Sequence, residues 1–507
     1  MRRPRTSRVP RPVVPLVALL TAASTALVGT PVVAAPAGAP PPAPTVVHEG
    51  VVTRQDIPAR AGSERDTVVE PHVAVSPVDR DVAIAAAHDS RFQDGGAVTI
   101  SVAWTSDGGA TWRHRPIRGL TVATGGPYDR ASDPVVAFGP DGTAYLSVLL
   151  IDIESGTCNS AVAVLTSRTG GATWSRPHYV HRSGICDVSD DKNWLVVDTS
   201  ATSPHRGRVY QFWSIFFFDG NKFLSSPQVV RWSDDHGRTW SRTVFVTPRD
   251  HSTQNSQPMI RSDGSIVDTY YDFGDGGSGE EGPELSPGLS PEAPQAARRA
   301  AAQRAVIDAS GTVFASTSTD GGATWSDQVE VANNAFGFAP GVRCCLFAAD
   351  IDPVTERMHV AFLGGVGNTD PVYESWSDDG ESWTSPIRVS RGDRSGVQRV
   401  NVDVAARGGK VYVTYGTRTG FTNGPGRVQQ QISGSGNGGR TFGGPTDLGP
   451  VSDLRYAARA GRAFPGDYIG LAYTKGRMYG VWAVSSKPPA SSTSRFHQVI
   501  HGVTLHP

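Results

Sequence analysis

The residues best suited to chemistry sit in short polar stretches between apolar ones. The main ones are His88-Asp89-Ser90-Arg91, Tyr128-Asp129-Arg130-Ala131-Ser132-Asp133, Asp187–Asn193, Arg249-Asp250-His251, Arg343, Arg391–Arg394, Arg418 and Arg455-Tyr456-Ala457-Ala458-Arg459. A guanidinium presents a planar fork of donors that fits a carboxylate, and a carboxylic acid in a loop can carry a proton to a leaving group. Arginine is common throughout, since only 5 of the 47 basic residues are lysine, so any face of the molecule would carry several. Other chemistries lack their residues. There is no Ser nucleophile elbow, phosphate loop or dinucleotide fingerprint. The four cysteines show no CxxC or Cys/His spacing, and Asp350-Ile351-Asp352 has no full set of calcium ligands beside it. No metal and no cofactor are expected. Arg391-Gly392-Asp393 spells an integrin tripeptide, which in an Arg- and Gly-rich chain reads as coincidence.

These stretches need a scaffold, and internal repeats supply one. The octet Thr105-Ser-Asp107-Gly-Gly109-Ala-Thr111-Trp112 recurs at 167–174, 233–240, 318–325, 376–383 and 435–442. Start-to-start intervals are 62, 66, 85, 58 and 59 residues. In a hairpin loop the Asp accepts turn amides, Gly takes a positive φ, and Trp packs between sheets. The structural Asp or Asn positions are Asp107, Asp235, Asp320, Asp378 and Asn437, with Thr169 in the second copy. Seven short apolar openings precede them: Val73–Val75, Val135–Phe138, Trp194–Val197, Met259-Ile260, Leu346–Ile351, Val400–Val404 and Tyr468–Ala472. A second strand follows each opening, a third enters the octet and a fourth leaves it. The pattern predicts an all-β propeller of four-stranded antiparallel blades of about 60 residues. Seven blades are preferred, with six as the alternative. The seventh unit stops after a third strand, Gln498–Leu505, and Val46–Thr53 is free to complete it and close the ring. In such blades the octets mark one face, so binding chemistry belongs to the loops on the other.

The octet resembles the Asp box of the sialidase and bacterial-neuraminidase-repeat superfamily, over about residues 45–505. The segments Asp191–Asp198 (DKNWLVVD) and Phe464–Ala472 (FPGDYIGLA) look like those of secreted sialidase-like proteins. The resemblance implies hydrolysis of terminal acidic sugars by arginines on the sugar carboxylate, a Tyr nucleophile and an Asp acid/base. On this sequence it suggests Arg91, Arg343, Arg394 and Arg455 for the anion, Tyr456 or Tyr128 as nucleophile, and Asp89 or Asp133 as acid. Where that family carries its first arginine motif, this chain reads Val69-Glu70-Pro71-His72. A non-catalytic Asp-box propeller that binds glycan or protein is the alternative.

Five arginines in residues 2–11, an apolar run from Val13 to Val33 and small residues at 34–37 read as a secretory signal over 1–37. Residues 38–45 form a Pro/Ala-rich spacer and 46–507 the propeller, with an insertion at 274–304 that suits either a lid or a tolerated surface loop. An extracellular protein with no membrane span in its mature chain is expected. Without the five leading arginines, 42 basic residues face 48 acidic ones, which argues against a nucleic-acid partner and leaves glycans or glycoconjugates as the expected ones. Export invites disulfides. Cys158 and Cys186 fall in loops of one face and suit a bridge, while Cys344 and Cys345 are adjacent and form either a vicinal bridge or two thiols.

Overall fold

Apolar and β-branched residues alternating with small polar ones, punctuated by Gly- and Asp-bearing turns, give short antiparallel strands throughout. The computed structural model describes residues 43–507 except 221, 274–310, 336–340, 344, 366–368 and 423. The described residues all lie within one compact unit, Gly38–Pro507. The expected signal over 1–37, the insertion at 274–304 and Cys344 lie outside them, as does most of the 38–45 spacer. Among the described residues there is no α-helix, only two short 3-10 turns, Val122–Thr124 and Leu454–Tyr456. No helix among these residues is long and apolar enough to cross a membrane.

The strands pair in antiparallel runs of four, largely in sequence order. The first strands of successive runs are Val68–Val75, Arg130–Phe138, Val188–Val197, Thr253–Ile260, Ala348–Ile351, Val397–Arg407 and Gly470–Thr474. The first two runs share one sheet through a single pair, Ala97 with Ala131. In the last run the edge is Thr45–Thr53, antiparallel to Gln498–His506 from Thr45↔His506 to Thr53↔Ile500. Apolar cores lie between neighbouring runs. Ile84 and Ile100 of the first pack with Leu146 and Val148 of the second. Val73 and Ala85 of the first also pack with Tyr479 and Val481 of the last.

The octets form the expected turns. Asp107 accepts the Thr111 N–H at 3.0 Å, Asp235 accepts that of Thr239 at 2.9 Å, and Asp320 that of Thr324 at 2.9 Å. Asn437 and Thr169 make the same bond to Thr441 and Thr173. The Trp indoles close the loops: Trp174, Trp240 and Trp325 donate to the carbonyls of Gly171, Gly237 and Gly322. Gly109 sits at φ +87°, and a Cβ there would lie 2.1 Å from Thr504 Oγ1 of the last run, so the close approach requires glycine.

The fifth octet corrects one assignment. Asp379, not Asp378, accepts the Glu381 and Ser382 N–H groups at 2.9 and 2.7 Å. Asp378 instead pairs with Arg357, at 2.7 and 2.8 Å. The reason is spacing. Ser377 caps the N–H of Gly380 three residues on, whereas Thr105 caps Gly109 four residues on, so this loop is one residue shorter. Arg357 also donates to Gly438 O at 3.0 Å, tying one run to the octet loop of the next.

Cys158 and Cys186 form a disulfide with Cα atoms 4.9 Å apart, joining the loops that expectation joined. Cys345 is also disulfide-bonded.

Candidate active site

Five first strands begin three to six residues before their apolar openings, and each of the five contains a bulge. Ladder breaks fall between Val69 and His72, Ser132 and Val135, Asp191 and Trp194, Gln254 and Gln257, and Val400 and Val402. Each break holds one non-glycine residue in the left-handed region: Glu70 (φ +56°), Asp133 (+47°), Lys192 (+45°), Asn255 (+65°) and Asn401 (+46°). Such a conformation costs about 1–3 kcal/mol for a side-chain-bearing residue, and bulges re-aim side chains beside functional sites. The surroundings hold the bulges in place. Asn193 Nδ2 donates to Asp133 O at 3.0 Å, and the Asp133 N–H donates to His88 Nε2 at 2.9 Å. Gly466, at φ +106°, leaves room for Glu70, whose Cγ and N would both lie 3.2 Å from a Cβ.

Glu70, Asp133 and Lys192 thereby line one pocket. The second strand of the first run adds His88 and Arg91. Asp191 and Gln254 neighbour the bulges, and loops before the fifth and seventh runs add Arg343, Asp467 and Tyr468. His88 Nδ1 lies 3.0 Å from Glu70 Oε2. Because Nε2 accepts the Asp133 N–H, the ring proton belongs on Nδ1, facing Glu70. One ligand atom each of Glu70, His88 and Asp133 fall within 4.8 Å of one another. These three nevertheless fit a metal poorly. Nε2 is occupied, a cation on Nδ1 would displace the proton that faces Glu70, and Lys192 lies close by.

The carboxyls are driven to opposite states. Burial works against ionisation of Glu70, but His88, Arg91 and Lys192 overcome it and hold the carboxyl at about 2. Asp191 goes the other way. Burial, and then the charge of Asp133, push it up to about 7, against bonds from its neighbour's N–H (2.8 Å) and Gln254 Nε2 (3.0 Å). Asp467 is raised to about 6 by burial, with Arg343 pulling it down from 3.4 Å. Burial lowers Lys192, whose ammonium the surrounding carboxylates favour. Behind it, burial and the Lys192 charge bring His72 down to about 3. His72 Nδ1 accepts the Val136 N–H at 3.2 Å.

Of the residues expected from sequence, Arg91, Asp133 and Arg343 line the pocket together. The others lie elsewhere. Asp89 follows His88 in an extended strand and faces the opposite side, where Ser101 Oγ and the Asp56 N–H bond its carboxylate at 2.5 and 2.9 Å. Tyr456 ends the 3-10 turn Leu454–Tyr456 with Arg455 over its ring. Arg455 is exposed and pairs with Asp453, and Arg394 is exposed. Tyr128 packs in the core between the first two runs. Sequence reasoning gave no role to Glu70, His88, Asp191, Lys192, Asp467 or Tyr468. Their signal was present in Glu70-Pro71 and Asp133-Pro134, acidic residues set directly before the apolar openings, and in the DKNW and GDY segments.

Comparison with known proteins gives a family and some relatives. The family profile of the BNR repeat-like domain matches residues 81–336. A sialidase of Micromonospora viridifaciens is 27% identical over 228 residues, 40% of this chain and 32% of that protein, so the match spans about a third of the relative's length. A Trypanosoma rangeli sialidase in complex with the inhibitor DANA has 14% identity and a TM-score of 0.44, covering 78% of this chain and 59% of that one. An α-L-arabinofuranosidase of Fusarium graminearum has 12% identity and a TM-score of 0.45, covering 90% and 98%.

Proposed function

The chain belongs to the BNR repeat-like family, and on that footing we propose that it is an exported glycoside hydrolase acting on acidic sugars of glycans. Its runs of four strands are read as a seven-bladed propeller, closed where Thr45–Thr53 pairs with Gln498–His506. The pocket then sits at the channel mouth, opposite the octets. A signal over 1–37 and the Cys158–Cys186 bridge support export.

One observation carries the hydrolase reading: two carboxyls of one pocket are driven in opposite directions, Glu70 down to about 2 and Asp191 up to about 7, so that between those values one is an anion and the other keeps its proton. Glycosidic cleavage needs such a division, an acid for the leaving oxygen and an anion for the developing positive charge. Asp191 gives its proton to the glycosidic oxygen as the bond to the anomeric carbon breaks. Glu70 faces the resulting cation as a fixed anion. Asp133 takes a proton from the water that attacks, which forms the new C–O bond and frees the sugar. Arg91 and Arg343 set a positive field on the side that receives an acidic sugar.

The test uses sialyl and uronyl substrates in two forms, natural linkages and aryl glycosides with good leaving groups. Asp191→Asn should depress turnover of the natural linkages by about a hundredfold or more, and that of the activated aryl glycosides far less. Equal loss on both denies Asp191 the acid role. Retention of glycans with no turnover by the unaltered protein would favour the non-catalytic binding alternative.

A further inference from the structure

Three cations line this pocket, and two are already engaged. Arg91 Nη1 donates to Phe92 O and, at 3.0 Å, to Arg459 O. Arg343 Nη2 lies 3.4 Å from Asp467. Lys192 differs. Its Nζ has no hydrogen-bond partner among the described residues, although the side chain is only 4% exposed. The ammonium rests instead on aromatic faces, 3.8 Å from the centre of the Tyr468 ring and 5.0 Å from that of Trp194. The Tyr468 hydroxyl is likewise buried and unpartnered. Two adjacent buried donors without acceptors are costly unless something else fills them. A lysine on a four-carbon stem can leave a ring face to meet an anion without giving up a hydrogen bond, whereas Arg91 and Arg343 could shift toward one only at the expense of bonds they already make.

Resting on the reading of this pocket as a glycan site, the geometry points to Lys192 as the residue that receives the sugar's anionic group. Its ammonium swings off the Tyr468 ring toward that group, and the Tyr468 hydroxyl supplies a second donor. The bulge at φ +45° sets the Lys192 backbone so that only the stem has to move. Carboxylate and sulfate share this chemistry. The arginines then act through their field and not as the direct clamp.

Calorimetric titration of the full chain tests this with glucuronate, N-acetylneuraminate, N-acetylglucosamine 6-sulfate, glucose and N-acetylglucosamine. The unaltered protein should bind at least one anionic sugar ten times or more tighter than its neutral counterpart. Lys192→Met should weaken that anionic sugar about 30-fold, as expected for a charge-assisted bond, and leave neutral sugars within about twofold. Tyr468→Phe keeps the ring and should lose several-fold on the same ligand, a second measurement should Lys192→Met fold poorly. Which anionic sugar responds separates carboxylate from sulfate. An unchanged anionic-to-neutral ratio in both variants overturns the assignment, as does the absence of any anionic preference in the unaltered protein. Anionic sugars bound through Lys192 while neither their natural linkages nor their aryl glycosides are hydrolysed would overturn the hydrolase reading and leave this one standing. Turnover with a ratio indifferent to Lys192 would do the reverse.

Discussion

Replacing Asp191 with asparagine should make the protein more stable in alkaline solution while removing the proposed acid. The folded chain raises the Asp191 carboxyl from 3.8 to about 7, so it holds a proton that the unfolded chain releases in weak acid. The contribution of this group to stability is complete below its unfolded value, is lost as the pH climbs to about 7, and is constant beyond. Each unit of separation is worth about 1.36 kcal/mol. From about pH 5.5 to about pH 8.5 only the last unit and a half is traversed, so the protein loses about 2 kcal/mol that an uncharged side chain would keep. Local bonding offsets part of the gain. The asparagine oxygen can still accept the Lys192 N–H, now 2.8 Å away, but its amide would face the Gln254 donor, now at 3.0 Å. That costs about 1 kcal/mol but does not vary with pH, so it shifts the whole curve and not its slope. Urea unfolding of both proteins at the two pH values reads the quantity directly. The stability difference should move in favour of Asp191→Asn by about 2 kcal/mol from the lower pH to the higher. Parallel curves would refute the protonated, buried Asp191 on which the proposed acid role depends.

The two aspartates of the fifth octet should separate cleanly. Asp379→Ala removes acceptors of two turn amides and should cost about 1–2 kcal/mol in chemical denaturation, whereas Asp378→Ala loses a surface ion pair and should cost well under 1 kcal/mol. Cys158→Ala with Cys186→Ala opens a bridge spanning 28 residues. By loop-closure entropy this should lower stability by about 3.5 kcal/mol, read as a fall in Tm.

The scaffold was legible because its turns demand particular residue types at fixed offsets. Ser or Thr, Asp, Gly and Trp each serve a local geometry in the octet, and the seven apolar openings are faces that must be buried. The site was less so. A bulge inserts a residue and breaks the period-two alternation, so the polar front halves of five strands looked like loops when they are strands whose bulged residues turn inward. Asp89 shows the cost: alternation turns it away from His88, and the left-handed Ser90 (φ +61°) then breaks the period and returns Arg91 to the pocket. Tyr456 and Tyr468 both follow polar residues, and only the fold buries Tyr468 against Lys192. Two adjacent aspartates hid the register of the fifth octet, which a one-residue shortening decided.

The pairing of Thr45–Thr53 with Gln498–His506 also has a mechanical meaning. Thr45 lies opposite His506, so the two ends of the described chain leave the same end of one antiparallel pair. A force drawing those ends apart meets the inter-strand bonds one after another, like a zip, and never loads them all at once. Stretched between two attachments, the protein would yield first at this seam. Held by either end alone, it carries no load across the seam.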